Sequence, residues 1–338
     1  MCSTRSRLHR DPLLAPLVVQ PRDLTVLHDL FYLRWAATPA LFLAASWANG
    51  GSGLAHFAKR LTQLWRAGYV SRFLPSHGRY LHGARHFLYT LESGKAAAAA
   101  RTGKRPNDLA ESQWRAVLAE AAPVRDRTRD ALLMAGIAPT EIDRVLHNNT
   151  ELAIKYYAGE TAGIGHRVLA SEILSALWFS ARMNGLVVEN IQPDGVADFT
   201  FREPEPRRFR ELVVTNGLLP IKPDSVFSIG PQRIALEAET GTASIAKVRL
   251  KLRRYARLFE RPSGACAPPA RLLVHCRTAA HAELVTAVCR EVLRSTEPAS
   301  VIITTGDDAH RLANDPTSAL TPVFRAPLAG TLMPLLAA

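Results

Sequence analysis

The chain has 338 residues, 47% hydrophobic and 21% charged, enough to bury the cores of about two ordinary domains. Its formal net charge is +12, which points to a polyanion as partner, and no apolar run approaches the ~18 residues of a membrane-spanning helix. The start, Met1–Arg7, is basic, and the apolar stretch behind it is broken by Pro12 and Pro16, so no signal peptide is expected.

The charge is unevenly spread. Residues 1–105 hold fifteen Lys/Arg against Asp11, Asp23, Asp29 and Glu92, so the remaining two-thirds of the chain is almost neutral. A basic module joined to a near-neutral one is expected to dock on nucleic acid through the basic part. The four cysteines (Cys2, Cys266, Cys276 and Cys289) form no CxxC pair, which fits a reducing cytoplasm better than a disulfide scaffold.

In chain order, Asp23 is placed to cap a helix through Leu24, Leu27, Leu30, Phe31 and Leu33. Thr38-Pro39 opens a second helix, and Asn49–Gly53 breaks the chain. A third helix sets Leu54, Phe57, Leu61, Leu64 and Trp65 on one side and Lys59, Arg60, Gln63 and Arg66 on the other. Gly68 ends it, and strands follow at Tyr69-Val70, Arg79–Leu81 and His86–Tyr89. Three helices and a hairpin over residues 20–95 predict a winged helix, with the third helix in the major groove. Arg60, Gln63 and Arg66 would reach bases, and Lys59, Arg72, Arg79 and Arg85 would bind phosphate. A solvated helix face is the competing reading.

Residues 96–158 read as a helical linker region, with a loose basic spacer up to Asn107 and helical periodicity from 111 onward. From 159 to 310 helices and strands alternate. A helix runs from His166 to Met183, and strands follow at Leu186–Ile191, Leu219–Ile229 and Ile234–Thr240. Next come a helix over 243–259, a buried strand at Leu272–Cys276, a helix over 279–293 and a strand at Val301–Thr304. The α-β-β-β-α-β order predicts a restriction-endonuclease-like core, which makes the whole an α/β protein with a winged-helix N-terminal part. Residues 311–338 are left as a C-terminal tail.

Asp224 lies thirteen positions before Glu237, so two neighbouring strands would carry both to one sheet end, and Glu237 and Glu239 share a strand face. Converging carboxylates repel unless a cation lies among them, and hard oxygen donors select Mg2+ or Mn2+. Such an ion activates water for attack on a phosphodiester. The next helix is basic, with Lys247, Arg249, Lys251, Arg253, Arg254 and Arg257. Lys247 and Arg254 are further candidates for contact with DNA. A hairpin with a solvated acidic face is the competing reading.

The basic N-terminal part, His166–Glu172, Lys222-Pro223-Asp224, Leu236–Thr242 and Lys251–Tyr255 together resemble the replication-relaxation family of plasmid and mobile-element proteins. That family includes MobC-type relaxases, which are similar to PD-(D/E)xK nucleases. The resemblance implies a metal-dependent nicking protein for plasmid replication or mobilisation, working with DNA and with other replication or transfer proteins. Asp224, Glu237 and Glu239 would be metal ligands, and Glu172 an extra acid on the first core helix. The chain departs from the nuclease pattern at Glu239, where a lysine belongs. Lys251 or Lys247 would have to supply that charge from the facing helix; without it, the site would bind metal and DNA without cutting. Two alternatives stay open: a non-catalytic DNA-binding regulator with an inactive nuclease fold, and a defence-type restriction nuclease. His166 fits a metal-shell or phosphate contact as well as a helix cap. Tyr255 has no histidine triad beside it, so it reads as packing or a DNA contact rather than a relaxase nucleophile.

Overall fold

A computed structural model describes residues 17–46, 53–73, 87–92, 111–157, 162–193, 199–202, 218–260, 269–293, 300–321, 323–329 and 332–336. It is a mixed α/β protein, with nine α-helices and a seven-stranded mixed sheet among the described residues. The chain divides into two compact units, Met1–Ser175 and Ala176–Ala338.

In the first unit, helices α1 (Pro21–Leu33), α2 (Thr38–Ser46) and α3 (Leu54–Arg66) precede strands β2 (Val70–Phe73) and β3 (Leu88–Leu91). A two-residue strand, β1 (Ala36–Ala37), adds to β3, so the sheet order is β1-β3-β2 with antiparallel pairing throughout. Val26, Leu27, Leu30, Phe31, Phe57, Leu61 and Leu64 recur at helical spacing and are buried, so this core follows directly from periodicity. The cap expected at Asp23 is displaced. Pro21 occupies the first turn, Gln20 is the N-cap, and Asp23 closes a capping box by accepting from the Gln20 N–H at 2.7 Å. The Thr38 hydroxyl, at the start of α2, donates to the Phe87 carbonyl. At Gly68, with φ +85, the chain takes a left-handed turn from α3 into β2 that a residue with a Cβ adopts only under strain.

Residues 111–157 form α4 (Glu111–Met134) and α5 (Pro139–Tyr157), as their periodicity implies. They are part of the first unit rather than a bare linker. The buried Thr128 of α4 donates to the carbonyls of Gly68 and Tyr69, tying this helix to the turn after α3.

Helix α6 (Ala162–Met183) leads to β4 (Val188–Pro193). The single strand expected over 219–229 is two strands. β6 (Leu218–Ile221) pairs with β5 (Phe199–Arg202) in a separate ribbon, and β7 (Ser225–Ile229) joins the main sheet. Pro223 separates them, since proline has no N–H to donate to a ladder. β7 turns through Gly230 into β8 (Gln232–Glu239), followed by α7 (Ile245–Glu260), β9 (Arg271–Cys276), α8 (Ala279–Val292) and β10 (Val301–Thr305).

The main sheet runs β12-β11-β10-β9-β8-β7-β4. β8, β9 and β10 are parallel, and the other pairs are antiparallel. β9 is buried along its whole length, as expected of a central parallel strand. Val248, Leu252 and Tyr255 of α7 pack with Val285 and Val288 of α8 over Ala235, Leu272 and Val274.

The segment read as a C-terminal tail is part of the fold. It completes α9 (Gly306–Asn314) and forms the short strands β11 (Phe324–Arg325) and β12 (Leu332–Met333), which extend the sheet beyond β10. Arg271 holds its end by donating to the carbonyls of Pro334 and Leu335 at 2.8 and 2.6 Å. Short strands separated by proline and small residues give almost no period to read, which is why sequence patterning misses them.

Candidate functional site

The carboxylates of the second unit are placed by strand register. Ser225 pairs with Leu236, which sets Asp224 opposite Glu237 across the β7–β8 hairpin. The Asp224 N–H donates to the Leu236 carbonyl at 2.9 Å, and its Oδ2 accepts from the Ala238 N–H at 2.7 Å. Asp224 is therefore fixed at both backbone and side chain. Glu237 and Glu239 leave β8 on one face, as the two-residue strand period requires, and both are buried, each 3% exposed.

Lys251 rises from α7 into this group. Its Nζ donates to Glu237 Oε2 at 2.9 Å and to Glu239 Oε1 at 2.8 Å. Tyr255, one turn further along α7 and fully buried, donates its hydroxyl to Glu237 Oε1 at 2.8 Å. Both Glu237 oxygens are thus engaged by one helix. Burial disfavours the Lys251 ammonium, but Glu237, Glu239 and Asp224 outweigh it and hold the amine above its ordinary value. Burial also pushes the Glu237 carboxyl up, with Asp224 adding to the rise, while Lys251 and the Tyr255 hydroxyl pull it down. The Tyr255 hydroxyl is raised well above its usual value by burial and by Glu237, so it stays a protonated donor.

Sequence reasoning left the departing lysine open between two candidates, and the structure brings Lys251 to the carboxylates. Lys247 is exposed on the same helix, and Arg254 is half-buried. Tyr255 is packing rather than a DNA contact, since none of it is exposed, but it is packing with a polar task that its apolar surroundings in the sequence did not signal. Its spacing of four from Lys251 was the available clue.

Glu172 lies on α6 in the first unit, where burial pushes its carboxyl up to about 7. His166 is half-buried on the same helix. Three other buried titratable groups of the second unit are inert. Burial lowers His275 to about 3, with its Nδ1 bonded to the Thr304 hydroxyl, and raises the Cys276 and Cys289 thiols to about 12.

In the first unit, α3 exposes Lys59, Gln63 and Arg66, with His56 on the same stripe. Arg60, expected to read bases, is engaged within the unit. Its guanidinium donates to both Asp23 oxygens at 2.8 and 2.5 Å, to the Val18 carbonyl at 3.0 Å and to Gln63 Oε1 at 2.9 Å. It is a strut between α3 and α1, and the hydrogen bond it donates to Asp23 raises its pKa further. Arg72 lies over the Trp65 ring, 3.7 Å from its centroid, and faces Phe87 at 4.4 Å. Arg79 and Arg85, and the strand expected at 79–81, lie outside the described residues.

As arranged, Asp224, Glu237 and Glu239 surround an ammonium rather than a ready ligand cage; among the described residues no group of three or more His, Cys, Asp or Glu is set to hold a metal ion. The donor set still suits one. Three carboxylates and one ammonium leave these four residues net negative, and hard oxygen donors are what Mg2+ and Mn2+ take.

The fold and this cluster define a two-unit mixed α/β protein with a buried carboxylate–lysine centre. Comparison with protein-family models, with curated proteins and with solved structures finds no match to the chain. No described helix is long and apolar enough to cross a membrane.

Proposed function

We propose that the chain is a DNA-processing protein of plasmid replication or mobilisation, which holds DNA through its first unit and nicks it at the Asp224–Glu237–Glu239–Lys251 centre. The observation that carries this reading is the position of Lys251. The nuclease pattern needs a cation beside its acids, the sequence lacks it at 239, and Lys251 Nζ lies within 2.9 Å of both glutamates. The run α6, β4, β7, β8, α7, β9 supports it further, being the helix–strand order of a restriction-endonuclease-like core. Three helices followed by a small antiparallel sheet support a winged-helix role for the first unit, with the α3 stripe of Lys59, Gln63 and Arg66 toward DNA.

In this reading Asp224, Glu237 and Glu239 would hold Mg2+ or Mn2+, which when bound would supply Lewis acidity and lower the pKa of water. Asp224 is held ready by the Ala238 N–H, and Tyr255 fixes the rotamer of Glu237. Lys251 offers positive charge to the scissile phosphate. Lys247 and Arg254, four before and three after Lys251 on α7, extend the same helix face toward the flanking phosphates.

The test is nicking of supercoiled DNA with Mg2+ or Mn2+. Asp224→Ala is expected to abolish nicking and leave DNA binding nearly intact, and Glu239→Lys to lower activity, because Lys251 already provides the cation. A wild-type protein that binds DNA and never nicks it would turn the conclusion to a non-catalytic DNA-binding regulator. One observation favours that second reading: Lys251 already pairs with two of the carboxylates a metal would need.

A further inference from the structure

Resting on the DNA-binding reading of the first unit and deepening it, we propose that the cleft between α1 and α3 grips a backbone phosphate of duplex DNA. Arg22 and His56 line this cleft. Arg22 is the second residue of α1 and His56 the third of α3, so the first turns of both helices flank it. Its floor is apolar, with Val26, Phe57 and Leu61. The space within it is about 20 Å3, room for one water-sized group. A phosphate oxygen fits there, and a base or a sugar does not.

Both side chains are available for this task. Arg22 is half-buried, and its Nε is buried without a hydrogen-bond partner. A buried donor lacking an acceptor is destabilising, and an anionic oxygen entering the cleft relieves it. The guanidinium fork also meets two phosphate oxygens at once, which a point charge cannot do. His56 is exposed on the α3 side of the cleft. Asp23 lines the cleft as well, but its oxygens accept from Arg60 and from the Gln20 N–H. α3 has no acid in its first turn to offset the positive charge. The cleft continues the exposed α3 stripe of His56, Lys59, Gln63 and Arg66 onto a second helix. Such a row suits the repeated phosphates of a nucleic-acid backbone better than a lone carboxylate. Anchors on two helices also fix the angle of α3 on the duplex, which contacts from α3 alone leave free.

The measurement is fluorescence anisotropy of a labelled DNA duplex with the full chain over a salt series. The proteins are wild type, Arg22→Gln, Arg22→Lys, His56→Gln and the double variant Arg22→Gln/His56→Gln. Arg125→Gln is the control, since it removes one charge from the same unit at an exposed pair with Asp126. Arg22→Gln is expected to weaken binding about ten- to a hundredfold and to lower the slope of log affinity against log salt by about 1. Arg22→Lys is expected to keep the slope and lose part of the affinity, because the fork is gone. His56→Gln is expected to weaken binding about tenfold, and the double variant to fall short of the product of the two losses, since both side chains hold one phosphate. All the variants are expected to melt with wild type, which separates a lost contact from a lost fold. If Arg22→Gln and His56→Gln bind the duplex as wild type does, or lose no more than Arg125→Gln, the phosphate cleft is overturned while the DNA-binding reading stands. If wild type binds no duplex even at low salt, the cleft and the DNA-binding reading fall together.

Discussion

Arg60→Met separates a structural arginine from a DNA-reading one. Wild-type Arg60 makes a two-pronged pair with Asp23, whose side chain is 1% exposed, and adds bonds to Val18 and Gln63. Removing one partner of a buried pair costs about 3–5 kcal/mol when the other charge is stranded. Asp23 is not wholly stranded, because it keeps the Gln20 N–H and sits in the first turn of α1, where a helix favours negative charge. The expected loss is therefore about 2–3 kcal/mol, read as a shift in urea unfolding followed by circular dichroism. Adding Asp23→Asn to Arg60→Met should cost less than the two single losses together, since the partners form one unit. DNA affinity, measured at a temperature where both proteins are folded, should change little. A stability loss below about 0.5 kcal/mol together with a base-specific loss of binding would refute the strut and return Arg60 to the groove.

Lys59→Ala and Arg66→Ala, in contrast, should leave stability within about 0.5 kcal/mol and each lower the slope of log affinity against log salt by about 1, in filter-binding or anisotropy titrations. Tyr255→Phe should cost about 1–3 kcal/mol in urea, because Glu237 Oε1 loses a buried donor and no cavity is made. For Glu172, burial places the folded pKa at about 7, above the ordinary 4.5, so the folded state keeps a proton that the unfolded chain releases. Stability then falls as pH rises from about 4.5 to 7, and Glu172→Gln should flatten that slope and exceed wild type by about 1–2 kcal/mol at pH 8. Identical pH profiles of wild type and Glu172→Gln would show the carboxyl to be solvated.

Local rules sufficed for much of the chain. Helices α1, α3, α7 and α8 each carry an apolar stripe at helical spacing, and β9 is a short apolar run, so their existence follows from burial alone. The shared face of Glu237 and Glu239 follows as directly from the strand period. Partners are another matter, because they depend on contacts between residues far apart in the chain. Arg60 and Asp23 are 37 positions apart, and nothing local distinguishes Arg60 from its solvent-facing neighbours Lys59 and Arg66. Lys251 and Lys247 are equally basic and one helical turn apart; only the packing of α7 on the sheet decided which of them meets the carboxylates. Strands β11 and β12 have two residues each and exist because β10 offers β11 a ladder and β11 offers one to β12, and Arg271 finds the Pro334 and Leu335 carbonyls just beyond β12, more than sixty residues away. Periodicity is a property of a segment and can be read along it, whereas an ion pair or an edge strand is a property of two segments brought together by the same core.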